Sequence, residues 1–216
     1  IIDVSTGVSL DHLLFFNQIG DVYSLPVHNI PEHHGLSTGD NLNEFLKIPL
    51  NEKIIGMICL NKDTKNKYIN IATESGIVKK TLGKKYETNY SKIKAINLND
   101  DDKVLDVKIS DDSKEFLLGT RNGNTIRFNE KSINDTGRNT IGSRGIKLEA
   151  DDKLVNMNIV NNNEFVVSIT ETGEANKISI QEFKVQNRNG KGFSTVKADN
   201  YKMKGIIAVK EDDEIL

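Results

Sequence analysis

Four glycines, Gly20, Gly76, Gly123 and Gly173, each close a short polar turn between two apolar runs, and bases crowd the stretch beyond each of the last three. Lys79, Lys80, Lys84 and Lys85 follow the second glycine. Arg127, Lys131, Arg138 and Arg144 follow the third, and Lys177, Lys184, Arg188, Lys191 and Lys197 follow the fourth. The stretch after Gly20 offers only His28, His33 and His34. One such lysine is more often a plain solvated charge. A set recurring in phase suits a polyanion, because phosphate neutralisation dominates affinity for DNA and phosphate contacts position a duplex without reading its sequence. Gly137-Arg138 and Gly190-Lys191-Gly192 set glycines beside bases, where bare amides either approach phosphates closely or simply serve tight turns.

Other chemistries fail on residue type or spacing. His33 and His34 are adjacent rather than at metal-ligand spacing, and Cys59 has no CxxC partner, so no zinc site is expected. Gly83-Lys84 lacks the upstream glycine and the hydroxyl of a phosphate-binding loop, with Val78 and Lys85 in their places. No GxSxG nucleophile motif is present. Asp151-Asp152 could suggest acid–base work, but such pairs recur at each repeat boundary, which favours a turn role. No active site is expected, and no cofactor in this chain.

The elements that must carry the bases repeat as well. LLFFNQIGDVYSL from Leu13, YINIATESGIVKKT from Tyr68, FLLGTRNGNTIRF from Phe116 and FVVSITETGEANKIS from Phe165 share a strand–turn–strand pattern, their turn glycines 56, 47 and 50 residues apart. A second marker, NEKI, DDKV, DDKL and DDEI, puts Glu52, Asp102, Asp152 and Asp213 ahead of an apolar residue; the first three lie 50 apart and the last 61. FLKIPL, IKAINL and GIKL precede the first three. Strand–glycine turn–strand is a hairpin signal, and units of about 40–50 residues with some four strands are propeller blades, which stack because one blade cannot bury both faces. The expectation is an all-β fold of four four-stranded blades and the start of a fifth, in units of roughly 1–54, 55–104, 105–155, 156–207 and 208–216. A β-sandwich with chance similarity between hairpins is the weaker alternative, since sandwiches do not usually keep two markers in phase.

The 216 residues are 37% hydrophobic and 28% charged, a soluble and ordered composition. Runs such as Leu13 to Phe16, Ile54 to Leu60 and Phe165 to Ile169 are far shorter than the ~20 residues of a membrane span. A single cysteine excludes an intrachain disulfide and fits a reducing compartment. The net charge of -2, from 29 bases and 31 acids, argues against DNA only if charge is evenly spread. Asp100 to Asp102, Asp111, Asp112, Asp151, Asp152 and Glu211 to Glu214 fall at the opposite phase of the repeat from the bases. Stacked blades should therefore separate a basic edge from one acidic region. The opening on Ile1 and the run Asp-Asp-Glu-Ile-Leu at the end lead to the expectation of a fragment.

Along nearly its whole length the chain resembles the C-terminal domain of DNA gyrase A, with the matching domain of topoisomerase IV a close relative. DHLLFFNQIGDVYSLPVHNIPE from Asp11 and IATESGIVKKT are similar to the family's first two hairpins. GTRNGNTIRFNEKSINDTGRNTIGSRGIKLEADDKLVNM from Gly119 is the most specific stretch, and SITETGEANKISIQEFKVQNRNGKGFSTVK from Ser168 matches the fourth. The family's glutamine-arginine-arginine-glycine-glycine-lysine-glycine box is absent. QNRNGKG keeps Gln186, Arg188, Gly190, Lys191 and Gly192 of a box-like segment but has Asn187 and Asn189 at two positions.

The resemblance implies a β-pinwheel of about six blades with strands exchanged between neighbours. It also implies a non-catalytic, monomeric domain that wraps double-stranded DNA without sequence preference on a basic edge. That edge would carry Lys79, Lys80, Lys84, Lys85, Arg127, Lys131, Arg138, Arg144, Lys177, Arg188, Lys191 and Lys197. The rest of gyrase A and the gyrase B protein would be the partners of an ATP-dependent type IIA topoisomerase, with ATP and Mg bound elsewhere and no membrane partner. A cytoplasmic, nucleoid-associated or organellar location follows. None of Tyr23, Tyr68, Tyr86, Tyr90 or Tyr201 matches the family's cleavage tyrosine. Two alternatives remain: a topoisomerase IV domain that binds DNA without strong wrapping, and a protein-interaction propeller. The second is disfavoured by 6% aromatics and no tryptophan.

Overall fold

A computed structural model describes residues 4–35, 38–162, 164–195 and 202–213. Fifteen strands occur among them, grouped into four antiparallel sheets. Each sheet is founded on one of the hairpins read from sequence: β1 (His12–Asn17) with β2 (Asp21–Pro26), β4 (Tyr68–Thr73) with β5 (Ile77–Leu82), β8 (Glu115–Thr120) with β9 (Asn124–Asn129), and β12 (Phe165–Thr170) with β13 (Ala175–Ser179). The turn glycines all have positive φ, between 80° and 87°, the conformation that a side chain disfavours.

A third strand joins each hairpin on its first-strand side: β3 (Ile54–Leu60), β7 (Val104–Ser110), β11 (Leu154–Val160) and β15 (Met203–Val209). These four strands pack on one another in succession and are the innermost strands of the blades. Polar bonds link them directly: the Met157 amide donates to Asp106 at 3.3 Å, and Asn158 donates to the Ile206 carbonyl at 2.9 Å. Each inner strand carries a bulge where it passes its hairpin turn, as at Leu105, which is left over where Asp106 and Val104 pair with the consecutive residues Ala72 and Thr73.

The outermost strand comes from further along the chain. β6 (Lys92–Lys94) pairs with β2, β10 (Ser143–Arg144) with β5, and β14 (Phe193–Ser194) with β9, so every blade but the last is sealed by a strand of the unit after the next hairpin. The fourth blade shows three strands among the described residues. Each of the first three sheets thus draws on two successive sequence units. The protein is an all-β propeller with exchanged edge strands.

Register explains the markers, with one correction. Thr73 pairs with Val104, Thr120 with Leu154 and Thr170 with Met203, so Lys202-Met203 stands where Lys103-Val104 and Lys153-Leu154 stand. The fourth marker, at Asp213, is not in phase. Asp213 closes the turn after the inner strand, accepting from the Lys210 amide at 2.7 Å, as Glu164 accepts from Asn161 at 2.9 Å. Asp-rich runs suit both turns, which is why composition does not distinguish them.

Apolar layers lie between neighbouring sheets. Phe16, Ile58, Ile69, Ile71 and Val107 fill the first seam, Phe116, Phe128, Ile126 and Met157 the second, and Leu117, Val166 and Ile206 the third. The remaining face of the first blade is covered by its own chain. The short helix α1 (Leu42–Leu46), capped by Asn41 at 3.0 Å, brings Leu42, Phe45 and Leu46 with Ile48 onto Phe15, Tyr23 and Leu25.

Candidate nucleic-acid interface

The segments that run from one blade to the outer strand of the preceding one form the outer edge of the protein. Each begins after a 3-10 turn (residues 83–86, 130–132 and 180–182) and runs along the hairpin's second strand before pairing. Asp135 bridges to Lys80 and Val185 to Arg127, both in parallel. The Thr136 and Gln186 amides donate to the carbonyls of Lys80 and Arg127 at 3.0 and 2.8 Å.

Charge on this edge is uneven in a way the whole-chain total conceals. Segments 87–98, 133–148 and 183–195 carry Lys92, Lys94, Arg138, Arg144, Lys147, Lys184, Arg188 and Lys191, against only Glu87 and Asp135. The acids do not gather in one region, contrary to the sequence expectation. Asp100, Asp101, Asp102 and Asp152 line one shallow recess with Glu74 at the glycine-turn end. Asp111 and Asp112 sit in the turn between β7 and β8, at the opposite end. A chain that alternates direction strand by strand delivers its acidic turns to both ends, so the bases occupy a band between two acidic poles.

Within that band the expected residues separate into two groups. Lys79, Lys80 and Arg127 are corrections: they are 1%, 4% and 5% exposed and face neighbouring blades rather than solvent. Lys79 Nζ donates to the Ala95 carbonyl at 2.8 Å and to Thr81 at 2.9 Å. Burial, with Lys85 and Arg138 close by, pulls its pKa down to about 7. Lys80 pairs with Asp112 at 2.5 Å and lies over the Tyr68 ring, 4.9 Å from its centroid. Arg127 pairs with Glu115, and donates to Asn162 at 2.6 Å and to the Ile180 and Phe183 carbonyls at 2.9 and 3.2 Å. Lys80 and Arg127 hold the same register position, opposite Asn70 and Leu117. They are staples between blades, made possible because that position of the second strand points into the next seam. Lys177 holds that position in the fourth blade and is exposed, over Phe165 at 4.2 Å and 3.7 Å from Glu211.

The second group is accessible. Lys84, Lys131 and Arg144 are exposed, and Arg138 and Arg188 half-buried; none of the five has an ion-pair partner among the described residues. Lys85 is exposed but pairs with Asp135 at 3.0 Å, and Lys191 stands 4.0 Å from Glu149. Lys197 lies outside the described residues, as do Tyr201 and Glu214.

Lys92 and Lys94 also stand on this edge, although the sequence-derived set omits them. The repeat aligns Lys94 of IKAINL with Arg144, so the signal is present in the sequence. Both are partly neutralised. Asp21 is 3.0 Å from Lys92 and 2.5 Å from Lys94, and Glu52 is 3.4 Å from Lys92. The bonds to Tyr23 and Asp21 raise the Lys92 pKa beyond its ordinary value.

The glycines beside bases also separate. Gly192, at φ 78°, comes so close to β9 that a Cβ would sit 2.6 Å from the Thr125 carbonyl oxygen, and Gly142, at φ 100°, makes the same approach to Val78 at 2.7 Å. These serve strand pairing. Gly137 has nothing within 4 Å and leaves its backbone open to an approaching group.

No group of three metal-ligating side chains occurs among the described residues. Cys59 is buried and His33 pairs with Asp40 at 2.8 Å. No helix of the described residues is long and apolar enough to cross a membrane.

Comparison with known proteins agrees with this architecture. The family profile described as DNA gyrase C-terminal domain, beta-propeller, matches residues 67–111, 114–161 and 164–216. The DNA gyrase A protein of Haloquadratum walsbyi is 33% identical over 196 residues, covering 88% of this chain and 23% of its own length. That of Mycobacterium leprae is 32% identical over 210 residues, covering 95% and 16%. The chain therefore spans under a quarter of either relative. The solved C-terminal domain of a DNA topoisomerase IV superposes with a TM-score of 0.89 at 29% identity, covering 94% of this chain and 65% of that one. A solved DNA gyrase A C-terminal domain superposes at 0.56 with 16% identity, covering 94% and 84%, which speaks to the fold alone. With three of its repeats inside the matched profile, the chain belongs to the DNA gyrase C-terminal domain family.

Proposed function

We propose that this chain binds duplex DNA along its outer edge and holds it curved, as the DNA-wrapping part of a gyrase A protein that supports negative supercoiling. The observation that carries this reading is the charge of segments 87–98, 133–148 and 183–195, basic in a chain whose net charge is -2. Contacts spread along an edge, not gathered in a pocket, fit a ligand that is a long, uniform polyanion. Bending ~20–30 bp through a right angle costs several kcal/mol, so several charge-assisted contacts must act together. The working set is Lys84, Lys85, Lys131, Arg138, Arg144, Lys177, Arg188, Lys191 and Lys197, with Lys92, Lys94, Lys147 and Lys184 added. Lys79, Lys80 and Arg127 leave it.

In this reading the remainder of gyrase A and a gyrase B protein are the partners, in a cytoplasmic, nucleoid-associated or organellar setting. ATP and Mg are used elsewhere in that assembly and no cofactor is needed here. Titration of random-sequence duplexes over salt, read by band shift, tests the proposal. Binding should be nearly independent of sequence and fall steeply with salt. Absence of binding at low salt removes it.

A second reading, a topoisomerase IV domain that grips DNA without wrapping it strongly, draws support from the 0.89 superposition and from the pairing of Lys92 and Lys94 with Asp21. Ligation of nicked circles in the presence of the chain separates the two. Wrapping leaves a change in linking number, and simple binding leaves none.

A further inference from the structure

The half-buried arginines of the outer edge have a second set of contacts. Arg188 donates from Nε to the Ser132 carbonyl at 2.8 Å and from Nη1 to the Arg144 carbonyl at 3.1 Å. Arg138, one repeat earlier, donates from Nη1 to the Lys94 carbonyl at 3.3 Å. Each reaches 44 residues back along the chain, onto the outer strand that seals the preceding blade, and each grips the main chain of the cation that strand presents. The Ile146 to Gly190 bridge, and the Asn189 amide on the Gly145 carbonyl at 2.7 Å, hold the same seam beside Arg144.

We propose that Arg188 is a positioning residue for DNA: by clamping the carbonyl of Arg144 it fixes that side chain at the seam between blades, so that the two guanidiniums present one preorganised phosphate site. This rests on the proposed DNA-binding reading and deepens it. β10 is only two residues long, and its Arg144 pairs with Ile77 alone. A strand so short does not hold a side chain in place unaided. Arg144 is exposed and has no ion-pair partner among the described residues, so its charge is available once its backbone is fixed. A guanidinium has five N–H donors, and those not spent on the carbonyls stay free for a phosphate. At the other seam the same clamp holds Lys94, whose charge Asp21 neutralises at 2.5 Å, so there the arrangement lacks its payoff.

The test is a double-mutant cycle on the full chain, with a random-sequence duplex as probe and melting temperature recorded for every variant. Arg144→Gln is expected to weaken binding about fivefold in the parent chain and less than twofold in an Arg188→Gln background, a coupling of the size seen between residues in contact. Arg188→Lys keeps the charge but cannot span both carbonyls, so its affinity should fall near that of Arg188→Gln. Arg121→Gln removes the same charge from the glycine turn between β8 and β9, where Arg121 pairs with Glu171 at 2.9 Å, and is expected to bind like the parent. If Arg188→Gln melts below the assay temperature, Arg188→Lys carries the cycle. Additive losses, or full binding by Arg188→Lys, overturn the proposal while leaving DNA binding intact. A parent chain that binds no duplex at low salt overturns both.

Discussion

Lys79 and Lys80 are neighbours on one strand and bond to opposite neighbouring blades: Lys79 Nζ reaches back to the Ala95 carbonyl at 2.8 Å, and Lys80 Nζ reaches forward to Asp112 at 2.5 Å. The two-residue period of a strand sends consecutive side chains to opposite faces. A pair of cations that reads as a surface patch is therefore a pair of ties, one for each seam.

Stability should depend on these ties more than on the exposed bases. Arg127→Ala strands Glu115 and the Ile180 and Phe183 carbonyls, and is expected to cost about 3–5 kcal/mol, as when one partner of a buried pair is lost. Lys131→Ala, on the surface, should stay within about 0.5 kcal/mol. Urea denaturation measures both, and equal effects would refute the distinction.

The Lys79 amine titrates near neutrality in the folded protein, with a pKa down to about 7, against an ordinary value of 10.5 when the chain unfolds. Between those values the unfolded state binds more protons, so stability rises with pH from about 7 upward and loses this contribution as pH falls through 7. Melting temperatures across that range should show the rise. Lys79→Met, which matches the apolar Ile126 of the next blade, should flatten it. A parent profile as flat as that of the variant would count against the assignment.

Asp152 keeps one buried carboxylate oxygen without a hydrogen-bond partner. The cause is local. Asp102 receives the Ser75 hydroxyl at 2.5 Å, whereas the equivalent turn residue facing Asp152 is Asn122, which supplies only its amide, at 2.9 Å. Asn122→Ser should therefore stabilise the protein by roughly 0.5–1 kcal/mol, despite losing the Asn122 contact to Lys202. A lower denaturation midpoint would contradict this account.

Substitution of Gly192 and Gly137, two of the glycines beside bases, should divide cleanly. Gly192→Ala forces a Cβ toward the Thr125 carbonyl at positive φ and is expected to cost ~1–3 kcal/mol. Gly137→Ala meets open space and should leave the fold unchanged, so any loss of DNA affinity it causes reports on backbone approach to phosphate. Thermal melts and band shifts on the same samples separate the two effects.

On the edge itself, each phosphate contact contributes a slope of about 0.9 to the logarithmic salt dependence. Removing Arg144, Lys147 and Lys191 together should lower both affinity and slope. A loss of affinity with the slope intact would place the duplex elsewhere.

The hairpins and their glycines are legible in the sequence because local chemistry fixes them: a glycine such as Gly123 accepts positive φ wherever it falls. The blade count follows from the same period. Which face of a strand meets solvent is not legible, since that depends on a neighbouring blade about fifty residues away. Lys80 and Lys84 are the same residue in the same basic run, yet one is buried and the other free. The acidic runs mislead for a related reason. Asp-Asp suits the turn before the inner strand and the turn after it, and only strand direction tells them apart.

The borrowed outer strands also set an order of events during synthesis. The β1–β2 hairpin can form as soon as it leaves the ribosome, but its open edge stays unpaired until Lys92–Lys94 has emerged, after a second hairpin has been made. Exposed strand edges invite pairing with other chains. Nascent protein should therefore be most vulnerable to misassociation while one blade waits for the next, and a chain interrupted between hairpins should aggregate more readily than one that has just delivered an edge strand.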